Sequence, residues 1–121
     1  MADGAAQLKL ALFRTTPHAG RGGPGWASAQ AEHGHSASAV RWNWRVADGR
    51  ILEARYEVRG CADLIAVTEL AAVALEGQPA ADPVLELRTL AARVAAPTEK
   101  LGRLFVVEDA MRAVAIQFGR G

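Results

Sequence analysis

From Val40 to Arg59 the chain alternates between apolar and polar residues. Val40, Trp42, Trp44 and Val46 are separated by Arg41, Asn43 and Arg45, and a period of two predicts a strand with one buried face. Asp48-Gly49 follows, a pair that readily takes the positive φ angles of a tight hairpin turn. In the returning strand Leu52, Ala54, Tyr56 and Val58 hold the even positions. Ile51, Glu53, Arg55, Glu57 and Arg59 hold the odd ones, so the apolar face is expected on the even side. The tryptophans of the first strand should then face helices. At Gly60-Cys61 the period switches. Leu64, Ile65, Thr68, Leu70, Ala71, Ala72 and Leu75 describe a long, almost wholly apolar helix, stopped by Gly77 and Pro79. Asp82-Pro83 suits the N-cap and first position of a second helix, with Leu85, Leu87, Leu90, Ala91 and Val94 as its stripe. After Pro97-Thr98, residues 99–118 read as helical again, with Leu101, Leu104, Phe105, Met111, Ala115 and Phe118 near one side.

The N-terminal third is patterned more weakly. Leu8, Leu12 and Phe13 predict a short amphipathic helix over residues 5–14, ended by Thr15, Thr16 and Pro17. Residues 18–25 contain four glycines and Pro24, which reads as a flexible loop with His18 exposed in it. Residues 26–33 alternate faintly, as an edge strand would, and residues 35–40 are a further strand or a connector. The order of a helix, then strands, then helices alone predicts an α+β domain. Its small antiparallel sheet has three strands, with the hairpin at 40–59. Helices cover one face, and the C-terminal half is all helical. The 121 residues suit a single domain over 1–121.

Composition excludes several classes. Fourteen basic and thirteen acidic residues leave a formal charge of +1, which gives no reason to expect nucleic acid or an anionic membrane as partner. The apolar runs fall far short of a membrane span, and the first residues lack the basic cluster of a signal peptide, so a cytoplasmic protein is expected. With a single cysteine, no disulfide forms within the chain.

That cysteine is the first candidate for chemistry. Cys61 lies where a strand turns into a helix, and free amides at a helix N-terminus favour a thiolate, whether as metal ligand or sulfur acceptor. The competing reading is a packed cysteine acting as a small hydrophobe. His33 and His35 are two apart and share a face on a strand. Together with Cys61 they could form a three-ligand zinc site completed by Glu32, Asp63 or water. Alternatively they are a solvated pair. Trp42 and Trp44 beside Arg41 and Arg45 could stack bases, but their alternation favours a buried face. Gly20-Arg21-Gly22-Gly23 lacks the Gly-Lys-Ser/Thr of a phosphate loop. Ser36 and Ser38 near the histidines match no hydrolase motif, and nothing suggests an enzyme.

The run Asp48-Gly49-Arg50-Ile51-Leu52-Glu53-Ala54-Arg55-Tyr56-Glu57-Val58-Arg59-Gly60-Cys61 resembles the NifU/IscU-type iron–sulfur scaffold family, whose hairpin leads into Gly-Cys and a helix of small residues. Val107-Glu108-Asp109-Ala110-Met111-Arg112-Ala113-Val114 is similar to the family's final helix, marked by Glu-Asp-Ala. The resemblance runs from about residue 40 to the C-terminus. It implies a scaffold for iron–sulfur cluster assembly that works with partners such as a cysteine desulfurase. It also implies a cluster site of three cysteines, an aspartate and a histidine. Cys61 matches the second cysteine. The third, with its preceding histidine, falls on Gly102 and Arg103, and the Cys-Gly-Asp of the first falls on Ser36, Ala37 and Ser38. The family's Leu-Pro-Pro-Val-Lys chaperone segment becomes Ala96-Pro97-Thr98-Glu99-Lys100. A two-iron, two-sulfur cluster needs four protein ligands, mostly thiolates, and one thiol per chain cannot hold it. The expectation is therefore a divergent paralogue that binds or modulates assembly partners, with a homo-oligomer as the one arrangement that would pool two Cys61 thiols. The alternatives are a zinc protein using His33, His35 and Cys61, or a metal-free interaction domain.

Overall fold

The computed structural model describes residues 4–119; the ends of the expected domain, 1–3 and 120–121, lie outside them. Helix α1 spans Gly4–Arg14, and strands β1 (Ala27–Glu32), β2 (Ala39–Ala47) and β3 (Arg50–Arg59) follow. Next come helices α2 (Ala62–Leu75) and α3 (Leu87–Arg93), a 3-10 turn at Thr98–Lys100, and helices α4 (Leu101–Leu104) and α5 (Val106–Ala115). The sheet is antiparallel in the order β1-β2-β3, with Trp42 opposite both Ala29 and Tyr56. Helix α2 lies against β3 and helix α5 against β1 and β2, while α1, α3 and α4 pack around α2. The expected α+β architecture holds, and no strand among the described residues follows Cys61.

Trp42, Trp44 and Tyr56 are fully buried with Leu64, Leu75, Leu104 and Val107, so the alternating hairpin does put its aromatic face beneath the helices. Trp42 Nε1 donates to the Val107 carbonyl at 3.0 Å. Trp44 Nε1 is buried and has no hydrogen-bond acceptor among the described residues. Asp48 and Gly49 have φ of 52° and 76°, the two positive angles of a type I′ turn.

The alternation fails at one place. Arg45 pairs with Glu53 but Val46 pairs with Ile51, so Leu52 is the extra residue of a β-bulge. Ile51 takes the core position and is fully buried, while Leu52 is 44 % exposed. The even-numbered apolar face therefore holds for Ala54 and Tyr56 and not for Leu52.

Two helix expectations are also corrected. Asp82 and Pro83 cap no helix, because α3 begins at Leu87. The intervening segment is held in a non-helical path by Gln78, whose side-chain amide donates to the Val84 carbonyl at 2.9 Å and accepts from the Val84 N–H at 2.7 Å. The same segment is tied to the hairpin, since Gly77 N–H donates to the Ile51 carbonyl and Ile51 N–H to the Gln78 carbonyl. The C-terminal half is therefore not continuously helical. The expected helix over 99–118 is interrupted at Phe105, and α5 ends at Ala115. The glycine-rich loop is not loose either. It lies across the outer face of the sheet, and a Cβ on Gly22 would come within 2.8 Å of the Trp26 ring.

The two tryptophans give a paired test. Trp44→Ala should cost about 3–5 kcal/mol in urea unfolding, as a full core aromatic does. Trp42→Phe should cost about 1 kcal/mol more than Trp44→Phe, because only Trp42 loses a hydrogen bond.

Candidate functional site

The residues singled out in the sequence gather at one end of the fold. The loop joining β1 to β2 carries His33, His35, Ser36 and Ser38, and is closed by the His33 N–H donating to the Ser38 carbonyl at 2.8 Å. Beside it β3 ends at Arg59 and is followed by Gly60, where a Cβ would lie 3.4 Å from Ser38 Oγ and 2.5 Å from Leu64 Cδ2. Cys61 follows as the N-cap of α2, half-buried, with no hydrogen bond from its side chain to the helix. Gly102 of α4 faces the same loop, since a Cβ there would lie 3.7 Å from His33 Nε2. Ser36, Ser38, Cys61 and Gly102, assigned to ligand positions from the sequence alone, are thus brought to one region. Arg103 lies within electrostatic reach of Lys100, which borders the site.

Hydrogen bonds within the loop engage most of these side chains. His33 Nδ1 bonds Ser36 Oγ at 2.8 Å, and Ser36 Oγ donates to Ser38 Oγ at 2.8 Å. The rings of His33 and His35 meet edge to face, 5.8 Å apart. Among the described residues no group of three or more His, Cys, Asp or Glu side chains is placed to hold a metal ion. The arrangement therefore does not bring His33, His35 and Cys61 together as a zinc site.

Cations stand beside the thiol. Asp63, on the first turn of α2, is buried, and its two oxygens accept from Lys9 of α1 at 2.7 Å and from Lys100 at 2.8 Å. Burial pushes the Asp63 carboxyl up, but the hydrogen bonds from Lys100 and Lys9 outweigh it and hold the group below its ordinary value. The hydrogen bond to Asp63 raises the Lys100 pKa above its ordinary value, and Lys100 lies within electrostatic reach of Cys61. Asp63 was read as a possible zinc ligand, but both of its oxygens are already occupied.

An iron–sulfur cluster does not fit this set. Only one thiol is present, the hydroxyls of Ser36 and Ser38 bond each other, and two ammonium groups occupy the nearby carboxylate. Protonated hydroxyls and cations cannot replace the missing thiolates.

A second cluster went unnoticed in the sequence. Glu69 in the middle of α2 is 2 % exposed and bonds the Tyr56 hydroxyl and His18. His18 is not the exposed loop residue expected, since its side chain is only 20 % exposed and also reaches Glu76. The available signal was a lone carboxylate inside an apolar helical run, which needs a buried partner.

Comparison with known proteins places the fold. The family model described as NifU-like N terminal domain matches residues 17–120. The N-terminal domain of a NifU-like protein from Brucella abortus is similar at 17 % identity and a TM-score of 0.68, over 92 % of this chain and 91 % of that one. A putative iron–sulfur cluster assembly scaffold protein for the SUF system from Fervidobacterium islandicum AW-1 is similar at 9 % identity and a TM-score of 0.72, over 90 % of this chain and 94 % of the other. No curated protein matches the sequence. The match across nearly the whole length, on a fold with Gly60-Cys61 at the junction of β3 and α2, shows that the chain belongs to the family of NifU-like N-terminal domains.

Proposed function

We propose that this chain serves iron–sulfur cluster assembly in the cytoplasm as a divergent scaffold paralogue. It binds and modulates the assembly proteins, a cysteine desulfurase foremost, and does not hold a cluster or carry out a turnover step. The observation that carries this reading is the filled ligand site. Where metal ligands would converge there is one thiol, and the neighbouring carboxylate is neutralised by Lys9 and Lys100. A surface suited to a partner adjoins it. Leu10 and Phe13 of α1 are 48 % and 49 % exposed and, with Ala6, Lys9 and Ala62, line a shallow apolar concavity beside Cys61. Exposed apolar patches of this kind, rimmed by charge, favour protein partners over solvent.

Reconstitution with iron, a thiol and a sulfide source, followed by visible absorption and by counting iron and sulfide per chain, tests the loss of cluster holding. No stable cluster is expected on the monomer, and a persistent brown monomer overturns the reading. A cluster found only in a dimer and abolished by Cys61→Ser would mean that two chains share ligands. Binding to a cysteine desulfurase, measured by calorimetry, should weaken about tenfold or more in a Leu10→Ser, Phe13→Ser double variant.

The charge cluster predicts an acid response. A carboxyl whose folded pKa is depressed adds stability above its ordinary value of 3.8 and loses it as pH falls through the lower folded value. Asp63→Asn should therefore cost about 1–3 kcal/mol at neutral pH. The gap between variant and parent should narrow in strong acid, as read by denaturant unfolding at several pH values.

A further inference from the structure

Residues 18–26 form a strap that runs from α1 to β1. It starts along the free edge of β3, where Tyr56 N–H donates to the His18 carbonyl at 3.0 Å and Gly20 N–H to the Tyr56 carbonyl at 2.8 Å. It then crosses the outer face of the sheet, where Asn43 Nδ2 donates to the Gly20 carbonyl at 3.3 Å. Helix α1, which precedes it, contains no buried residue. Charge holds this N-terminal arm to α2 in two places, Lys9 on Asp63 and His18 on Glu69 and Glu76.

The histidine contact differs from the lysine contact in kind. His18 Nδ1 faces Glu69 Oε2, and His18 Nε2 faces Glu76 Oε1 at 3.2 Å. A neutral imidazole has one N–H and one lone pair, so it can satisfy one of these carboxylates while turning a lone pair on the other. Only the imidazolium donates to both. The remaining bonds on the carboxylates are neutral. Glu69 accepts from the Tyr56 hydroxyl at 2.8 Å and the His18 backbone N–H at 3.2 Å, and Glu76 accepts from the Ala54 N–H at 3.2 Å. Tyr56 from β3, Glu69 from α2 and Glu76, which caps the C-terminus of α2, are the titratable groups facing the ring, and Arg55 lies against Gly20 two residues further on.

We propose that His18 is a proton-operated clasp. As the imidazolium it bridges Glu69 and Glu76 and holds the arm on β3 and α2, and on losing its proton it lets the strap leave the β3 edge. The inference stands on this cluster alone and does not depend on the proposed role in cluster assembly. Burial lowers the His18 pKa, but hydrogen bonds to Glu69 and Glu76 outweigh it and leave the group above its ordinary value of 6.5. A histidine with a raised folded pKa adds stability that is complete below 6.5 and is lost as pH rises through the folded value. Release is therefore an alkaline event in the range where histidine titrates. It uncovers the backbone of Tyr56 and the side chain of Asn43, and leaves α1 tethered by Lys9.

Two readouts on the intact chain test the clasp. Histidine-resolved NMR titration between about pH 6 and about pH 9 should show His18 titrating above the ordinary histidine value. Amide exchange, corrected for intrinsic base catalysis, should show the opening of Gly20 and Tyr56 increasing up to about tenfold per pH unit between 6.5 and that midpoint and levelling off above it, with Trp42 unaffected. His18→Gln should remove the pH dependence. If that variant fails to fold, Glu76→Gln, at a partly exposed position, should keep the fold and shift the midpoint downward. A ring titrating at or below the ordinary value, strap opening that does not follow the ring, or an unmoved midpoint in Glu76→Gln would overturn the proposal.

Discussion

Helix α2 is apolar on nearly every side and is enclosed by β3, α1, α3 and α4, so each charge it carries has to be matched from a neighbouring element. Asp63 and Glu69 are its buried acids. The first draws Lys9 and Lys100 onto it, the second draws His18 and Tyr56, and these contacts set where the N-terminal arm and the turn before α4 come to rest. Apolar packing alone would leave α1 weakly placed, since none of its residues is buried. The arrangement around the thiol thus follows from the need to neutralise a buried helix, and the same cations make the region unsuited to a metal.

The hairpin and the site answer to different forces. Trp42, Trp44 and Tyr56 fix the sheet beneath α2 and α5 through buried area, whereas the loop at 33–38 is held by hydrogen bonds among its own residues. That separation explains how a chain can belong to the NifU-like N-terminal domain family while Ser36, Ser38, Gly102 and Arg103 occupy the positions that the resemblance assigns to ligands.

Much of the fold was legible because periodicity reports burial directly. The strict alternation from Val40 to Val46 and the change of period at Gly60-Cys61 located β2, β3 and α2. Three features were hidden for identifiable reasons. The bulge at Leu52 depends on pairing with β2, and a strand pattern cannot reveal an extra residue opposite its partner. Asp82-Pro83 has good helix-start chemistry, but Gln78 captures the backbone of Val84 and local propensity yields to that contact. His18 lies 51 residues from Glu69, too far for any local pattern to pair them. At the site, resemblance assigned ligand positions to Ser36, Ser38, Cys61, Gly102 and Arg103, whereas the pairing of Lys9 and Lys100 on Asp63 required the tertiary arrangement.

The turn that carries Ser36 and Ser38, two of the positions that the resemblance assigns to ligands, is closed by backbone atoms, through the His33 N–H and the Ser38 carbonyl, with Ala37 at a φ of 57°. A hairpin closed in this way depends on its projecting side chains less than a packed element does, although His33, Ser36 and Ser38 bond one another across it. The fold therefore places less restraint on the side chains of residues 34–37 than on the buried hairpin. A loop whose shape rests on its backbone can exchange side chains, and with them its chemistry, without unfolding the domain around it.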